Sequence, residues 1–393
     1  MKKYNKKIFY NVAFRLFSKI NDAIILKENS FSFIYLHIKR RYLFRLKDIF
    51  LPVMLLKGKE KHSYNDITVL YCGDIYSLHF ITDILFEGNY KKEYLGTYFF
   101  LNLKKILSVT SNNADITIIK TDRFFSRILQ KRGYMLIPAW INMKIDTSKS
   151  FEEIAKKFKK SAKEDVRKIK KFNYTYEITK DLEKFDRFFY EIRDPHFKRR
   201  VGSKAIPGTT SYLELKIAFR LGSLFTIKDG DQTIAGFIVV NDKKKASPHF
   251  MGIIGEKELY KAAGSALFYF FIEWAKENGI SLLNFGLSRP FLNDGPFRFK
   301  RKWGMTVDLP KRFFDIFALK VNGTCSAAIL SFFENNPFLI LENKELDGFV
   351  FSHVPLSHEE QKKIFKGYYI DGITTLNIVQ TEKQLKSFLK KKL

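Results

Sequence analysis

The sequence predicts a mixed α/β (α+β) fold divided into two domains. The chain has 393 residues, long enough for two or three domains. Short apolar runs alternate with helical patterns along the first 145 residues. Residues 224–285 read as a hairpin, a third strand, a small-residue loop, an apolar helix and a further strand.

Composition sets the outer bounds. Hydrophobic residues make up 46% and charged residues 28%, which excludes a disordered chain. Lys and Arg number 69 against 41 Asp and Glu, a net charge of +28. A balance so basic implies an anionic partner: nucleic acid, an anionic membrane face or a phosphate-bearing substrate. Cys72 and Cys325 are the two cysteines. With no CxxC and no Cys/His cluster, neither zinc nor a disulfide framework is expected, and no metal site is assigned. Two lone cysteines fit a reducing compartment. The longest apolar run, Ile49 to Leu56, contains Pro52 and falls far short of the roughly 18–20 residues of a membrane span. Met1-Lys2-Lys3 resembles a signal n-region, but Asn11, Arg15 and Lys19 break the apolar stretch behind it. The reading is cytoplasmic.

In chain order, Ile8 to Ile24 carries a helical apolar stripe with basic residues off it. It reads as a helix packed on its own sheet or as a basic amphipathic helix on the inner membrane face. Phe31 to His37, Ile67 to Tyr71 and Ile116 to Ile119 read as strands. Ser126 to Lys131 ends a helix stopped at Gly133, and Tyr134 to Ile145 reads as one strand. Phe151 to Lys171 is expected to be one long basic helix, with nine Lys and Arg against four acids. It is a solvated charged face or an anion-binding wall. Asp181 to Tyr190 is a further helix, and Glu191 to Thr210 is loop-like, with Lys198-Arg199-Arg200 as a second basic cluster. Leu224 to Lys228, Thr233 to Val240 and Ser247 to Ile254 are strands joined by tight turns. Lys261-Ala262-Ala263-Gly264-Ser265-Ala266 leads into the helix Leu267 to Lys276, stopped at Gly279 before the strand Ile280 to Phe285. After Arg312 come a strand, Phe313 to Val321, and a basic terminal helix, Glu382 to Lys392.

Hairpin, strand, glycine-bearing loop, helix, strand resembles the central half of the GNAT acyltransferases. The loop Lys261 to Ala266 resembles their Gln/Arg-x-x-Gly-x-Gly/Ala loop, with Lys in place of Gln or Arg. In the family this loop cradles the pyrophosphate of coenzyme A. The physical basis is general: small residues let backbone N–H groups meet an anion at a helix N-terminus. Asn284-Phe285-Gly286 and Phe299-Lys300-Arg301-Lys302-Trp303-Gly304 are similar to the ending of FemAB-type transferases and of their CelD- (BcsL-) like relatives. Ser161 to Lys170 resembles the basic helix ahead of their catalytic half. The resemblance implies two GNAT-like domains, each a mostly antiparallel central sheet flanked by helices. The expected division is 1–145, an N-terminal GNAT-like domain; 146–310, the catalytic one; and 311–393, a strand and helix segment completing the first.

Such a transferase must hold donor phosphates, polarise a carbonyl and manage a proton. Lys261, Gly264, Ser265 and Ala266 are expected at the donor phosphates. The backbone N–H groups of Phe250 to Ile254 are candidates for the oxyanion. His249 and Asp294 are candidate bases, each with an ordinary alternative as a surface histidine or a turn aspartate. Lys300 is expected to steady an oxyanion or a phosphate. Arg167, Lys168, Lys170, Arg289 and Phe299 are expected to meet the substrate. No GxSxG, HExxH, Walker loop or GxGxxG occurs.

The leading expectation is acyl transfer from acyl-CoA, as co-substrate and not resident cofactor, to an amine or hydroxyl. The acceptor would be an anionic small molecule or a lipid-linked glycan precursor of the cell envelope or a polysaccharide. Without the helical-hairpin insertion common in tRNA-using members, acyl-CoA leads over the alternative donor, aminoacyl-tRNA. A third reading is a non-catalytic basic nucleic-acid-binding protein with aromatics stacked on bases, though no RNP, zinc or helix-turn-helix signal supports it.

Overall fold

The computed structural model describes residues 50–99, 113–200, 212–255, 262–310 and 315–390. The expected elements over 8–24 and 31–37, and Lys261, lie outside these residues.

Strands β1 (Phe50–Lys59) and β2 (Asp66–Cys72) pair antiparallel. Asp74 caps α1 (Ile75–Leu85) by accepting from the Ser77 N–H. β3 (Lys91–Phe99) returns antiparallel along β1, and β4 (Ile116–Thr121) runs parallel to β2. After α2 (Arg123–Gln130), Gly133 turns the chain at φ 80° into β5 (Met135–Pro138). β6 (Ile141–Asp146) follows.

The second half opens with α3 (Phe151–Lys156), α4 (Lys160–Lys171) and β7 (Thr175–Thr179). Next come α5 (Leu182–Arg187), a π-helical turn (Phe188–Arg193), α6 (Asp194–Arg200) and α7 (Tyr212–Leu221). The meander β8 (Ser223–Asp229), β9 (Gln232–Asn241) and β10 (Lys245–Ile253) leads to α8 (Ala263–Glu277) and β11 (Leu282–Ser288). α9 (Gly295–Arg301), β12 (Thr306–Asp308) and β13 (Ile316–Val321) follow. The chain closes with α10 (Ala327–Asn335), β14 (Phe338–Glu342), β15 (Glu345–Ser352), α11 (His358–Tyr368), β16 (Leu376–Gln380) and α12 (Thr381–Lys390).

Two large sheets repeat one plan. The first has the order β3-β1-β2-β4-β13-β5 and the second β12-β6-β11-β10-β9-β8-β7. Each has a single parallel step, β2/β4 and β10/β11, with antiparallel pairs on both sides. In each, a helix follows the first strand of that step: α1 after β2, α8 after β10. This is the doubled, mostly antiparallel GNAT-like architecture that the sequence implied.

Alternation along the strands explains the layers. In β8, Phe225 and Ile227 join the core under α8, whereas Leu224 joins the core under α5 and α7. In β9, Phe237 and Val239 face the first core and Ile238 the second. The second sheet is therefore covered on both faces. A third sheet, β14-β15-β16, packs against both halves: Phe338 and Phe349 join the core of the first sheet, Leu339 and Leu346 the core under α8.

Five expectations need correction. Tyr134 to Ile145 is not one strand: β5 pairs with β13 in the first sheet and β6 pairs with β11 and β12 in the second. The expected boundary after residue 145 thus falls inside β6, and β13 crosses back into the first sheet between β4 and β5. The long helix 151–171 is two, because the Lys159 N–H bonds the Lys302 carbonyl at 2.8 Å and Lys159 is extended at ψ 161°. The loop-like stretch after Glu191 contains α6, in whose first turn Pro195 is tolerated. The segment 311–393 supplies a strand to the first sheet and also builds the third sheet with three helices.

Candidate active site

The parallel step of the second sheet splays open. β10 and β11 share register only at Lys245↔Leu282 and Ala246↔Leu283. Two irregularities follow. On β10 the register with β9 shifts between His249 and Gly252, and Phe250 sits at φ 57°, left-handed backbone that a bulky side chain rarely adopts. On β11 the register with β6 shifts between Asn284 and Leu287, with Gly286 at φ 72°. Phe250 and Met251 have no register partner on β9. The wedge between the strands is therefore walled by backbone turned out of its ladder, the arrangement an oxyanion needs.

Helix α8 begins at the mouth of this wedge. Its cap residue, Ala262, is left-handed at φ 67°, and Ala263, Gly264, Ser265 and Ala266 are all buried. A Cβ on Gly264 would lie 3.1 Å from Ile253 Cδ1. A side chain at Gly264 would therefore require the end of the Ile253 side chain to shift by a few tenths of an ångström.

The Ser265 hydroxyl is already engaged. It donates to Asp165 Oδ2 at 2.5 Å, and Lys302 Nζ bonds both that oxygen (2.5 Å) and Ser265 Oγ (3.1 Å). Lys302 also lies over the Phe299 ring at 4.3 Å. This cluster joins α4, α8 and the turn after α9, and its charged partners are mostly covered, at 16% and 18% side-chain exposure. Neither Asp165 nor Lys302 was among the expected residues. The signal for Asp165 was a carboxylate on the buried stripe of α4, three residues after Ala162 and four before Ile169.

Lys300 projects from α9 to β11, where its Nζ donates to the Leu287 carbonyl at 2.9 Å. Burial pushes its pKa down to about 8, opposed by the nearby Asp294 carboxylate. A neutral amine is therefore accessible near neutral pH. His249 is exposed beside the β10 bulge, its ring 6.1 Å from that of Phe250, and desolvation by the surrounding protein lowers its pKa.

Other expected residues have structural tasks. Asp294 is the N-cap of α9, accepting from the Phe297 N–H, and its other oxygen pairs with Arg289 Nε at 3.2 Å. A carboxylate committed to a helix end and a guanidinium is a poor base. Arg289 spans the two halves of the molecule, its guanidinium 5.4 Å from the ring centre of Phe80 on α1. Phe299 packs edge-on to Phe268 at 4.9 Å and lines the core under α8. Arg167, Lys168 and Lys170 are exposed on α4.

A basic collar that the sequence marked only as a charge cluster holds the end of β10. Arg199 Nη2 donates to the carbonyls of Ile253 (3.1 Å) and Ile254 (3.2 Å). Arg193, at the end of the π-helical turn, lies 5.8 Å from the Phe250 ring centre, and a Cβ on Gly252 would come within 2.7 Å of its Cα. His196 is buried and bonded to the Ile253 backbone. Burial and then the neighbouring arginines push its pKa down to about 4. π-Helical turns often sit at functional sites, and this one presses directly on the β10 bulge.

A splayed parallel strand pair, a bulged wall and a small-residue helix start lie together in the half of the chain that the sequence led one to expect to be catalytic. Residues 156–301 match the family model described as an acetyltransferase (GNAT) domain, which supports an acyltransferase. None of the curated proteins matches the chain. Among solved structures, the chain is similar to FemX at 13% identity, covering 67% of this chain and 83% of that one, with a TM-score of 0.37. It is similar to L-PGS from Bacillus licheniformis at 14% identity, over 70% and 86% of the two chains, with a TM-score of 0.34. A tandem GNAT protein from the clavulanic acid biosynthesis pathway matches at 8% identity over 66% and 80%, with a TM-score of 0.28. Among the described residues, no group of three or more His, Cys, Asp or Glu could hold a metal ion, and no helix is long and apolar enough to cross a membrane.

Proposed function

We propose that the chain transfers an acyl group from acyl-CoA to an amine or hydroxyl of an anionic cell-envelope or polysaccharide precursor, at the wedge between β10 and β11. The observation that carries this reading is Lys300, a partly desolvated amine with its pKa near 8, held at the β11 wall of that wedge. The acceptor's nucleophilic atom attacks the thioester carbonyl carbon, and Lys300 takes the proton it loses. The bulged backbone at Phe250 and Met251 steadies the oxyanion. On collapse the carbon–sulfur bond breaks, and the sulfur leaves as a thiol carrying the proton that Lys300 returns. The exposed Arg167, Lys168 and Lys170 attract the anionic acceptor, and Gly264 and Ala266 leave room for donor phosphates at the start of α8. The reaction takes place in the cytoplasm, with the +28 charge favouring the inner membrane face when the acceptor is lipid-linked.

One observation favours a second donor. The Asp165–Lys302 ion pair already occupies the Ser265 hydroxyl, leaving neither that hydroxyl nor the Lys302 charge free for a pyrophosphate. That suits aminoacyl-tRNA, whose ester need not bring a diphosphate to the α8 start. Thiol release from acetyl-CoA, measured against amine-bearing glycan precursors, separates the two. Release that depends on Lys300 supports the first reading. Transfer from charged tRNA without any thiol release replaces it with the second.

A further inference from the structure

Lys302, just beyond Lys300, is held at both of its ends. It is the C-cap residue of α9, and its carbonyl accepts from the Lys159 N–H at the start of α4 at 2.8 Å. Its Nζ donates to Asp165 Oδ2, further along α4, at 2.5 Å and to Ser265 Oγ, at the start of α8, at 3.1 Å. The Ser265 hydroxyl donates to the same carboxylate oxygen at 2.5 Å, so an ammonium, a carboxylate and a hydroxyl from three elements meet at one point. Ser265 is buried and the two charges are mostly covered. The Phe299 ring closes over the ammonium at 4.3 Å.

Helix α9 has seven residues, too few to hold a direction without tertiary ties. Its first end is tied through the Asp294 cap and Arg289, its last through Lys302. Lys300 lies in the last turn, so the tie at Lys302 sets where its side chain leaves the helix. From there its Nζ reaches the Leu287 carbonyl on β11. Stability alone does not call for this pair, because apolar side chains of similar volume often serve a covered site as well. A charge-assisted pair adds fixed direction.

We propose that Asp165 and Lys302 are positioning residues, a clasp across α4, α8 and the end of α9 that holds Lys300 Nζ against β11. Neither touches the reacting atoms. The inference rests on the reading of Lys300 as the group that moves the proton, but the placement of its amine is measurable without turnover.

The titration of Lys300 reports that placement, because burial is what lowers its pKa to about 8. Competitive acetylation with acetic anhydride across pH, followed by mass spectrometry of the Lys300 peptide, gives its midpoint. Asp165→Asn/Lys302→Met removes one negative and one positive charge together, so their direct effects on Lys300 oppose each other. Asp294, the carboxylate that acts on Lys300, is untouched. An opened clasp lets water reach the amine, and the midpoint should rise by at least about one pH unit toward the ordinary lysine value of about 10.4. Lys302→Arg, which keeps the charge, should move it less. Lys144→Gln/Asp308→Asn removes another ion pair of the same sheet and should leave the midpoint near 8. If the double variant melts early, Asp165→Asn alone decides. Loss of a carboxylate lowers an amine's midpoint directly, so a rise reports movement. The proposal falls if the midpoint stays or drops in the folded variants, or if the Lys144/Asp308 variant raises it equally. With a donor–acceptor pair that turns over, kcat should fall by about tenfold or more at unchanged KM, and an unchanged kcat overturns the proposal. A chain inactive with acyl-CoA leaves the labelling interpretable, so the two readings fail separately.

Discussion

At the residue scale, the site turns on which polar groups are already committed. Lys300 is bonded to the Leu287 carbonyl on β11; if it is the base of the proposed reaction, Lys300→Ala should lower turnover by about 10²–10³, within the range for loss of a proton-transfer group. Melting temperature should barely change. The rate of the native enzyme should rise with pH and level off above about 8, where Lys300 becomes neutral, and the variant should lose that limb. A rate that instead falls through pH 8 would make Lys300 a fixed cation. Asp294 supplies the contrast. Asp294→Ala removes a cap and should cost about 1 kcal/mol by denaturant titration, whereas Asp294→Asn should keep both stability and turnover. Turnover lost in the Asn variant at unchanged stability would return Asp294 to the catalytic role. His196 sets an acid limit. Its pKa is depressed to about 4 in the folded chain, so between about 6.5 and 4 the unfolded chain binds a proton that the folded one refuses. Its contribution is fully present above about 6.5 and declines as pH falls toward 4. Thermal melts of the native chain and His196→Gln across that window should converge on the acid side.

At the element scale, turns hold the site in place. Gly304 follows Trp303 at φ 69°, and a Cβ there would meet Lys157 Cβ at 2.5 Å and its carbonyl oxygen at 3.1 Å. Gly304→Ala should therefore destabilise by more than about 1 kcal/mol, because strain and contact act together. It should also weaken the Lys159–Lys302 backbone bond that separates α3 from α4. Denaturant melts read the first effect, and hydrogen exchange at the Lys159 amide reads the second. An unchanged exchange rate would mean that the break between the helices is set locally. The hairpin β8–β9 and the helix α8 were legible in the sequence because their signals are local: alternation, tight turns and an apolar run ended by Gly279 at φ 67°. The break at Lys157–Lys159 was not, because a distant carbonyl causes it. The small-residue loop marked the start of α8 correctly, but Asp165 and Lys302 reach Ser265 from 100 and 37 residues away, beyond any local pattern.

At the scale of the whole molecule, the two sheets exchange strands. β6, from before the catalytic segment, lies between β11 and β12, and β13, from after it, lies between β4 and β5. A fragment spanning 147–310 lacks β6, so β12 loses its sheet partner and β11 loses its neighbour on one side. Such a fragment should show no cooperative thermal transition in calorimetry, whereas the full chain should. A sharp transition in the fragment would show that the strand exchange is dispensable. The sequence by itself determined the class of fold, the order of elements from β8 to β11, the small-residue start of α8 and a net charge that calls for an anionic partner. Each of these follows from short-range periodicity, turn chemistry or composition. Tertiary structure alone decided that Tyr134 to Ile145 divides between two sheets, that Asp294 and Arg289 hold each other, and that Asp165 and Lys302 enclose Ser265. Those outcomes depend on which distant groups come within hydrogen-bond reach, and a buried polar group takes whatever partner the packed chain brings to it.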